Sequence, residues 1–135
     1  MRFTVLGAGM MGCATVYDLA CSKRVAEIVV GDFDLPRAEE VARKYGGGKA
    51  RAEFVDVRKP EETVKLLAGS EAVLNCTQYY WNLAVMKAAL EARVNYLDLG
   101  GLFTRRGSSW RWIRSSRGSG SWRYWELGAR RGLRM

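Results

Sequence analysis

The stretch "VLGAGMMGCATVYDLACSKRVAEIVVGDFD", Val5 to Asp34, decides how this chain folds. It grows out of "RFTVLG" (Arg2 to Gly7), a short apolar run with β-branched residues and a terminal glycine, which reads as a buried strand. From Met10 to about Ser22, Met11, Val16, Leu19 and Ala20 recur at helical spacing. "EIVVGD" (Glu27 to Asp32) is a second strand. A strand, a glycine-rich turn, a helix and a second strand make a βαβ unit, whose two strands pair in parallel.

The same alternation continues to about Phe103. Asp34 is placed to cap a helix that has Pro36 in its first turn and runs to Tyr45. Gly46-Gly47-Gly48 ends it, with Gly46 expected as the left-handed residue. "AEFVDV" (Ala52 to Val57) is a third strand, followed by a helix opened by Pro60 with Glu61 and Glu62 and closed by Gly69. "EAVLNCT" is a fourth strand, Asn82 to Ala92 a fourth helix, and "VNYLDLGG" (Val94 to Gly101) a fifth strand. The predicted class is α/β: a doubly wound parallel sheet of about five strands, a Rossmann-type fold, with an irregular C-terminal tail.

Gly7-Ala8-Gly9-Met10-Met11-Gly12 matches G-x-G-x-x-G, a weak pattern alone. Here a strand precedes it, a helix opens inside it and a strand follows, which is the context a dinucleotide site requires. Gly7 would permit the tight turn, Gly9 the close approach of a pyrophosphate, and Gly12 close packing of helix on strand. Free amides at the helix start would hold the phosphate charge. Asp32, twenty residues after Gly12, stands where an acid accepts hydrogen bonds from the adenosine ribose. A carboxylate there repels a 2′-phosphate, so NAD is expected over NADP, with Arg37 near enough to temper the preference. Two further strand ends border the same crevice: Asp56-Val57 toward the adenine, Cys76-Thr77 toward the nicotinamide. Tyr79, in the cluster Tyr79-Tyr80-Trp81, and Asp98 are candidate substrate contacts, although core packing and turn formation explain such residues as well.

Composition narrows the chemistry. The chain of 135 residues is 48% hydrophobic and 27% charged, as in a soluble globular protein. No apolar run approaches the roughly 20 residues of a membrane helix, and the start reads as a strand rather than a signal peptide. There is no histidine, which excludes Ser-His, Cys-His and His-metal chemistry within these residues. Cys13, Cys21 and Cys76 lack metal-ligand spacing, so no metal site is expected. They read as free thiols in a reducing cytoplasm, and Cys76 has no histidine to activate it as a nucleophile.

Taken together, "VLGAGMMG", "VVGDFDLPRAEEVA", "VDV", "VLNCTQYYWNLAVMKAALEA" and "VNYLDLGGLF" resemble the N-terminal domain of the saccharopine dehydrogenase family, in particular its lysine 6-dehydrogenase-like members. The resemblance covers Met1 to about Phe103. It implies an NAD(P)-dependent cytoplasmic oxidoreductase of amino-acid (lysine) metabolism, passing hydride between nicotinamide and an amino acid or secondary amine. In the family an α+β domain follows, completing the substrate site and mediating dimerisation. Carried over, Gly7, Gly9, Gly12, Asp32, Asp56, Cys76 and Thr77 fall on cofactor positions, and no catalytic acid or base is identified.

The departure begins at Thr104. Residues 1–103 hold equal numbers of basic and acidic side chains. From Arg105 on there are nine arginines against Glu126 alone, so the whole net charge of +8 belongs to the tail. Residues 104–135, built largely from Arg, Gly, Ser and Trp, show no sustained period, and we expect them disordered or off-frame. Off-frame reading of GC-rich codons gives this composition. A back-translation of "WELGARRGLRM" shifted by two bases permits Gly-Ala-Gly-x-x-Pro-Gly-Leu-Thr-Asn, close to the family's next glycine-rich segment. We therefore hypothesise a frameshifted tail, which the gene's nucleotide sequence decides. The competing reading makes the tail a nucleic-acid-binding module, its arginines on phosphates and Trp110, Trp112, Trp122 and Trp125 stacked on bases. Against it, no recognisable binding fold or basic helix face is present. A membrane-surface anchor is disfavoured too, because the tryptophans do not share one helical face.

Overall fold

The computed structural model describes residues 1–100, all within one compact unit, Met1–Leu102. Five strands, β1 (Arg2–Leu6), β2 (Glu27–Asp32), β3 (Ala50–Phe54), β4 (Ala72–Asn75) and β5 (Asn95–Asp98), alternate with α1 (Met10–Cys21), α2 (Leu35–Tyr45), α3 (Pro60–Leu67) and α4 (Asn82–Ala92). They form one parallel sheet in the order β3-β2-β1-β4-β5. The doubly wound fold expected from the alternation is therefore present. The tail expected over residues 104–135, and the predicted end of the fifth strand at Gly101, lie outside the described residues.

Side chains leave a strand on alternate faces, and the core divides accordingly. Val5, Ile28 and Val30 pack with Val16 of α1 and Ala38, Val41 and Ala42 of α2 on one side. Leu6, Val55 and Val73 pack with Leu67 of α3 and Val85, Ala88 and Ala89 of α4 on the other. Gly31 faces the second layer, where an added Cβ would lie 2.8–2.9 Å from Leu66, Leu6 and Val55 side chains. Among the described residues no helix is long and apolar enough to cross a membrane.

Local chemistry sets the boundaries. Asp34 accepts from the Arg37 amide at 3.2 Å and so caps α2, with Pro at its start. Gly46, expected in the left-handed region, instead continues the helix at φ −79°, ψ −7°, its amide bonded to the Ala42 carbonyl. Gly47 and Gly48 take positive φ in its place. Gly46 is small for another reason: a Cβ there would meet Ala50 Cβ and the Ala42 carbonyl. The third strand also begins two residues before the expected Ala52 and ends at Phe54 rather than Val57.

Three strand ends share one device. Asp32 Oδ1 accepts from the Asp34 amide at 2.8 Å and Asn75 Oδ1 from the Thr77 amide at 3.2 Å. Asp98 Oδ1 accepts from the Gly100 amide at 2.7 Å. Beyond β3, Asp56 Oδ1 accepts from the Arg58 amide at 3.0 Å. A side chain that bonds the amide two residues on mimics a backbone turn. It draws the chain out of the ladder, so β4 and β5 stop at Asn75 and Asp98, short of the expected Thr77 and Gly101.

Candidate dinucleotide-binding crevice

The turn after β1 is shaped by what a methyl group would strike. Gly7 has φ +96°, and a Cβ on it would lie 2.9 Å from the carbonyl carbon and oxygen of Cys76. The left-handed conformation and the contact with backbone both favour glycine. Gly12, in the first turn of α1, would put a Cβ 1.8 Å from the Gly7 carbonyl oxygen. The helix therefore sits directly on the turn. Gly9 differs: a Cβ there would meet nothing within 4 Å.

That open space faces an incompletely satisfied helix end. Gly9 is the N-cap of α1 and offers no side-chain acceptor, and the first turn holds no acidic residue. Helix N-termini leave backbone amides without intrahelical partners. The aligned peptide dipoles add partial positive charge, worth about 0.3–1 kcal/mol to a nearby anion, up to about 2 when partly buried. An anion arriving beside Gly9 supplies the missing acceptor.

Next to this helix end opens a cavity of about 500 Å³ along the carboxyl ends of four strands. Gly7 and Gly9 form part of its wall, with Gly31, Asp32 and Phe33 at the end of β2 and Arg37 from α2. Val55 to Arg58 follow β3, and Cys76 to Gln78 with Trp81 follow β4. Of the residues named from the sequence, Gly7, Gly9, Asp32, Asp56, Val57, Cys76 and Thr77 thus come together. Ala8 is buried behind the wall, Gly12 lies against Gly7, and Met10 is 85% exposed with Met11 half-exposed beside it. Tyr79 and Asp98 do not line the cavity. Tyr79 instead stacks edge-on with Tyr80 at 5.2 Å, and Asp98 is bonded to the Tyr96 hydroxyl and the Gly100 amide.

Asp32 has a second task. Its Oδ2 accepts from the Ala8 amide at 2.5 Å while Oδ1 holds Asp34. The carboxylate thus ties the glycine turn to the end of β2. Each carboxylate oxygen has two lone pairs, so one on each remains for a ligand.

Phe33, Arg58 and Gln78 were not singled out from the sequence. Arg58 forks onto Asp56, Nε to Oδ1 at 2.8 Å and Nη2 to Oδ2 at 2.7 Å. Its guanidinium also lies 5.3 Å from the centroid of the Phe33 ring, a cation–π distance. The available clue was positional: Arg58 follows Asp56 by two residues at a strand end that borders the crevice. The fork holds the Asp56 carboxyl at about 2, below its ordinary 3.8. A depressed carboxyl contributes stability above its unfolded value, and that contribution is lost as pH falls through the folded value. The Asp56–Arg58 pair should therefore persist from neutrality down to about pH 2. Carboxyl-carbon NMR that shows Asp56 titrating near 3.8 instead would refute this. Burial raises the Cys76 thiol above its usual value, opposed by a contact with the Thr15 hydroxyl at 3.5 Å. It is a neutral thiol at pH 7, consistent with a wall residue.

Comparison with known proteins places this geometry. The chain is 28% identical over 99 residues to carboxyaminopropylagmatine dehydrogenase of Synechocystis sp., a stretch that is 72% of this chain and 25% of that protein. It thus spans about a quarter of the curated relative it matches. Among solved structures, apo saccharopine dehydrogenase (L-Glu forming) of Saccharomyces cerevisiae superposes with a TM-score of 0.68 at 21% identity, over 75% of this chain and 22% of that one. UDP-N-acetylglucosamine 3-dehydrogenase of Acidithiobacillus ferrooxidans gives 0.56 at 32% identity, over 73% and 28%. The saccharopine dehydrogenase NADP binding domain, as a family model, matches residues 3–116. Among the described residues, that span takes in all five strands save Arg2 of β1, the four helices and the whole crevice wall, and the chain belongs to the saccharopine dehydrogenase NADP-binding domain family.

Proposed function

We propose that this chain is the cofactor-holding part of an oxidoreductase that moves hydride between a nicotinamide dinucleotide and an amino acid or secondary amine. The observation that carries the reading is the uncapped start of α1 at Gly9, opening onto a crevice that Asp32 borders. In this reading the pyrophosphate lies on the amides of the first turn, and the adenosine ribose hydroxyls donate to the free lone pairs of Asp32. Asp56 and Val57 flank the adenine, and Cys76 and Thr77 flank the nicotinamide side. When bound, the nicotinamide supplies the hydride acceptor or donor. The chain's own residues bind and orient it. The amine class of substrate rests on the family and on the name of the Synechocystis relative, a dehydrogenase of a carboxyaminopropyl compound.

Between the two cofactors we favour NAD. The Asp32 carboxylate stands where a 2′-phosphate would bring like charge, and the Arg58 charge is already matched by Asp56. Arg37 brings a positive charge to the same wall, so NADP acceptance should grow once Asp32 is neutral. In fluorescence titrations we expect NADH to bind at least about tenfold more tightly than NADPH, a difference near 1.4 kcal/mol. Asp32→Ser, which keeps an oxygen acceptor, should bring the two within about threefold. Wild-type preference for NADPH would overturn the choice of NAD. Salt-dependent DNA binding with no signal from either dinucleotide would overturn the whole reading.

A further inference from the structure

The ends of β4 and β5 are joined by a closed ring of hydrogen bonds lying outside the cavity wall. Asn75, the last residue of β4, is 1% exposed. Its Oδ1 accepts from the Thr77 amide at 3.2 Å and the Thr77 hydroxyl at 2.6 Å. Its Nδ2 donates to Asn82 Oδ1 at 2.9 Å and to the Tyr96 phenol oxygen at 3.4 Å. Both lone pairs and both protons of the amide are thereby used. From Asn82 the ring runs through Nδ2 to the Gly100 carbonyl at 3.3 Å, and through the Gly100 amide to Asp98 Oδ1 at 2.7 Å. The Tyr96 hydroxyl closes it on Asp98 Oδ2 at 2.8 Å.

This ring bears on the segment after β4, which gives Cys76, Thr77, Gln78 and Trp81 to the cavity wall. The Cys76 amide is fastened to β1 through the Leu6 carbonyl, and Trp81 closes a turn onto Gln78. Thr77, between them, has its amide and hydroxyl both on the Asn75 side chain. We propose that Asn75 is a positioning residue for the dinucleotide site, acting through the Asn82–Gly100–Asp98–Tyr96 ring to fix the Cys76–Trp81 segment against α4 and β5. The proposal rests on the dinucleotide reading above. It also gives Asp98 a role other than substrate contact: its carboxylate takes the two bonds that close the ring. A buried amide satisfied at every position admits one arrangement, because any shift leaves a polar group unpaired in the interior.

The test uses the full chain with NADH as the probe. Tyr96→Phe removes one hydroxyl outside the cavity, and Asn75→Asp keeps the Thr77 bonds but removes the donor to Asn82 and Tyr96. In each we expect the NADH dissociation constant to rise about tenfold. Amide exchange at Thr77 should accelerate by a similar factor at a temperature where the protein stays folded. A merely structural role would lower the melting temperature of Tyr96→Phe and leave both readouts unchanged, which would overturn the proposal. Wild-type protein that binds neither dinucleotide would sink the cofactor reading and this proposal with it. Normal wild-type binding with unchanged Tyr96→Phe and Asn75→Asp would sink the positioning role alone.

Discussion

Gly12→Ala should unfold or severely destabilise this domain. The added methyl would lie 1.8 Å from the Gly7 carbonyl oxygen, well inside van der Waals contact, and the atom it strikes is backbone. A flexible side chain could swing away, but here either α1 must lift from the sheet or the Gly7 turn must move. Gly7 has little freedom, because its amide is bonded to the Gly31 carbonyl at 2.8 Å and its own Cβ position abuts Cys76. Overpacking of a core typically costs about 1–3 kcal/mol and occasionally more. With backbone as the obstacle we expect about 3 kcal/mol or above, a large part of the roughly 5–15 kcal/mol that holds a domain together. At roughly 4–8 °C per kcal/mol for a domain of this size, melting should fall by about 12 °C or more. A variant that melts within about 2 °C of wild type would show that the helix does not sit on the turn as described.

Gly9→Val should do the reverse, abolishing dinucleotide binding while the fold survives. Gly9 has φ −79°, a value open to any residue, and its Cβ position is clear of the protein. The substitution loses a preferred N-cap residue, worth about 1 kcal/mol, so melting should fall by only a few degrees. The branched side chain would occupy the approach to the amides of α1. We expect the NADH dissociation constant to rise at least about a hundredfold, about 2.7 kcal/mol. Near-normal NADH affinity in a folded Gly9→Val protein would remove the pyrophosphate from this turn. The two glycines, three residues apart, thus separate architecture from ligand.

The order of elements was legible from residue periodicity alone, because each strand or helix carries its own apolar pattern. The glycines of the turn were legible too, since strand, turn and helix appear in sequence as they do in space. Less visible was what the strand-end polar residues do with their side chains. Asp32, Asp56 and Asp98 were read as ligand contacts at the carboxyl edge, and Asn75 carried no local signal. All four bond an amide two residues on, and at Asn75 and Asp98 this ends the fourth and fifth strands before the expected residues. Arg58 and Phe33 were missed because their place at the wall depends on tertiary contact: one is a guanidinium folded back onto Asp56, the other a ring beneath that guanidinium. The Asn75–Tyr96 ring spans residues far apart in sequence, and no local pattern signals it. Gly31 is small because side chains from β1, α3 and the segment after β3 converge on it, which no local pattern signals.

The strand order has a consequence for how the chain reaches this state. β1 is the centre of the sheet, pairing Phe3 with Ile28 on one side and with Ala72 on the other. Its second partner is some seventy residues away in sequence. During synthesis from the N-terminus, the half-sheet β3-β2-β1 can form while one edge of β1 has nothing to pair with. That edge closes only when β4 emerges, and closing so long a loop costs entropy before any contact repays it. The Cys76 amide reaches the Leu6 carbonyl only at that late step. The nascent chain therefore carries an open strand edge until β4 emerges, and the Cys76–Trp81 side of the crevice wall is completed only then.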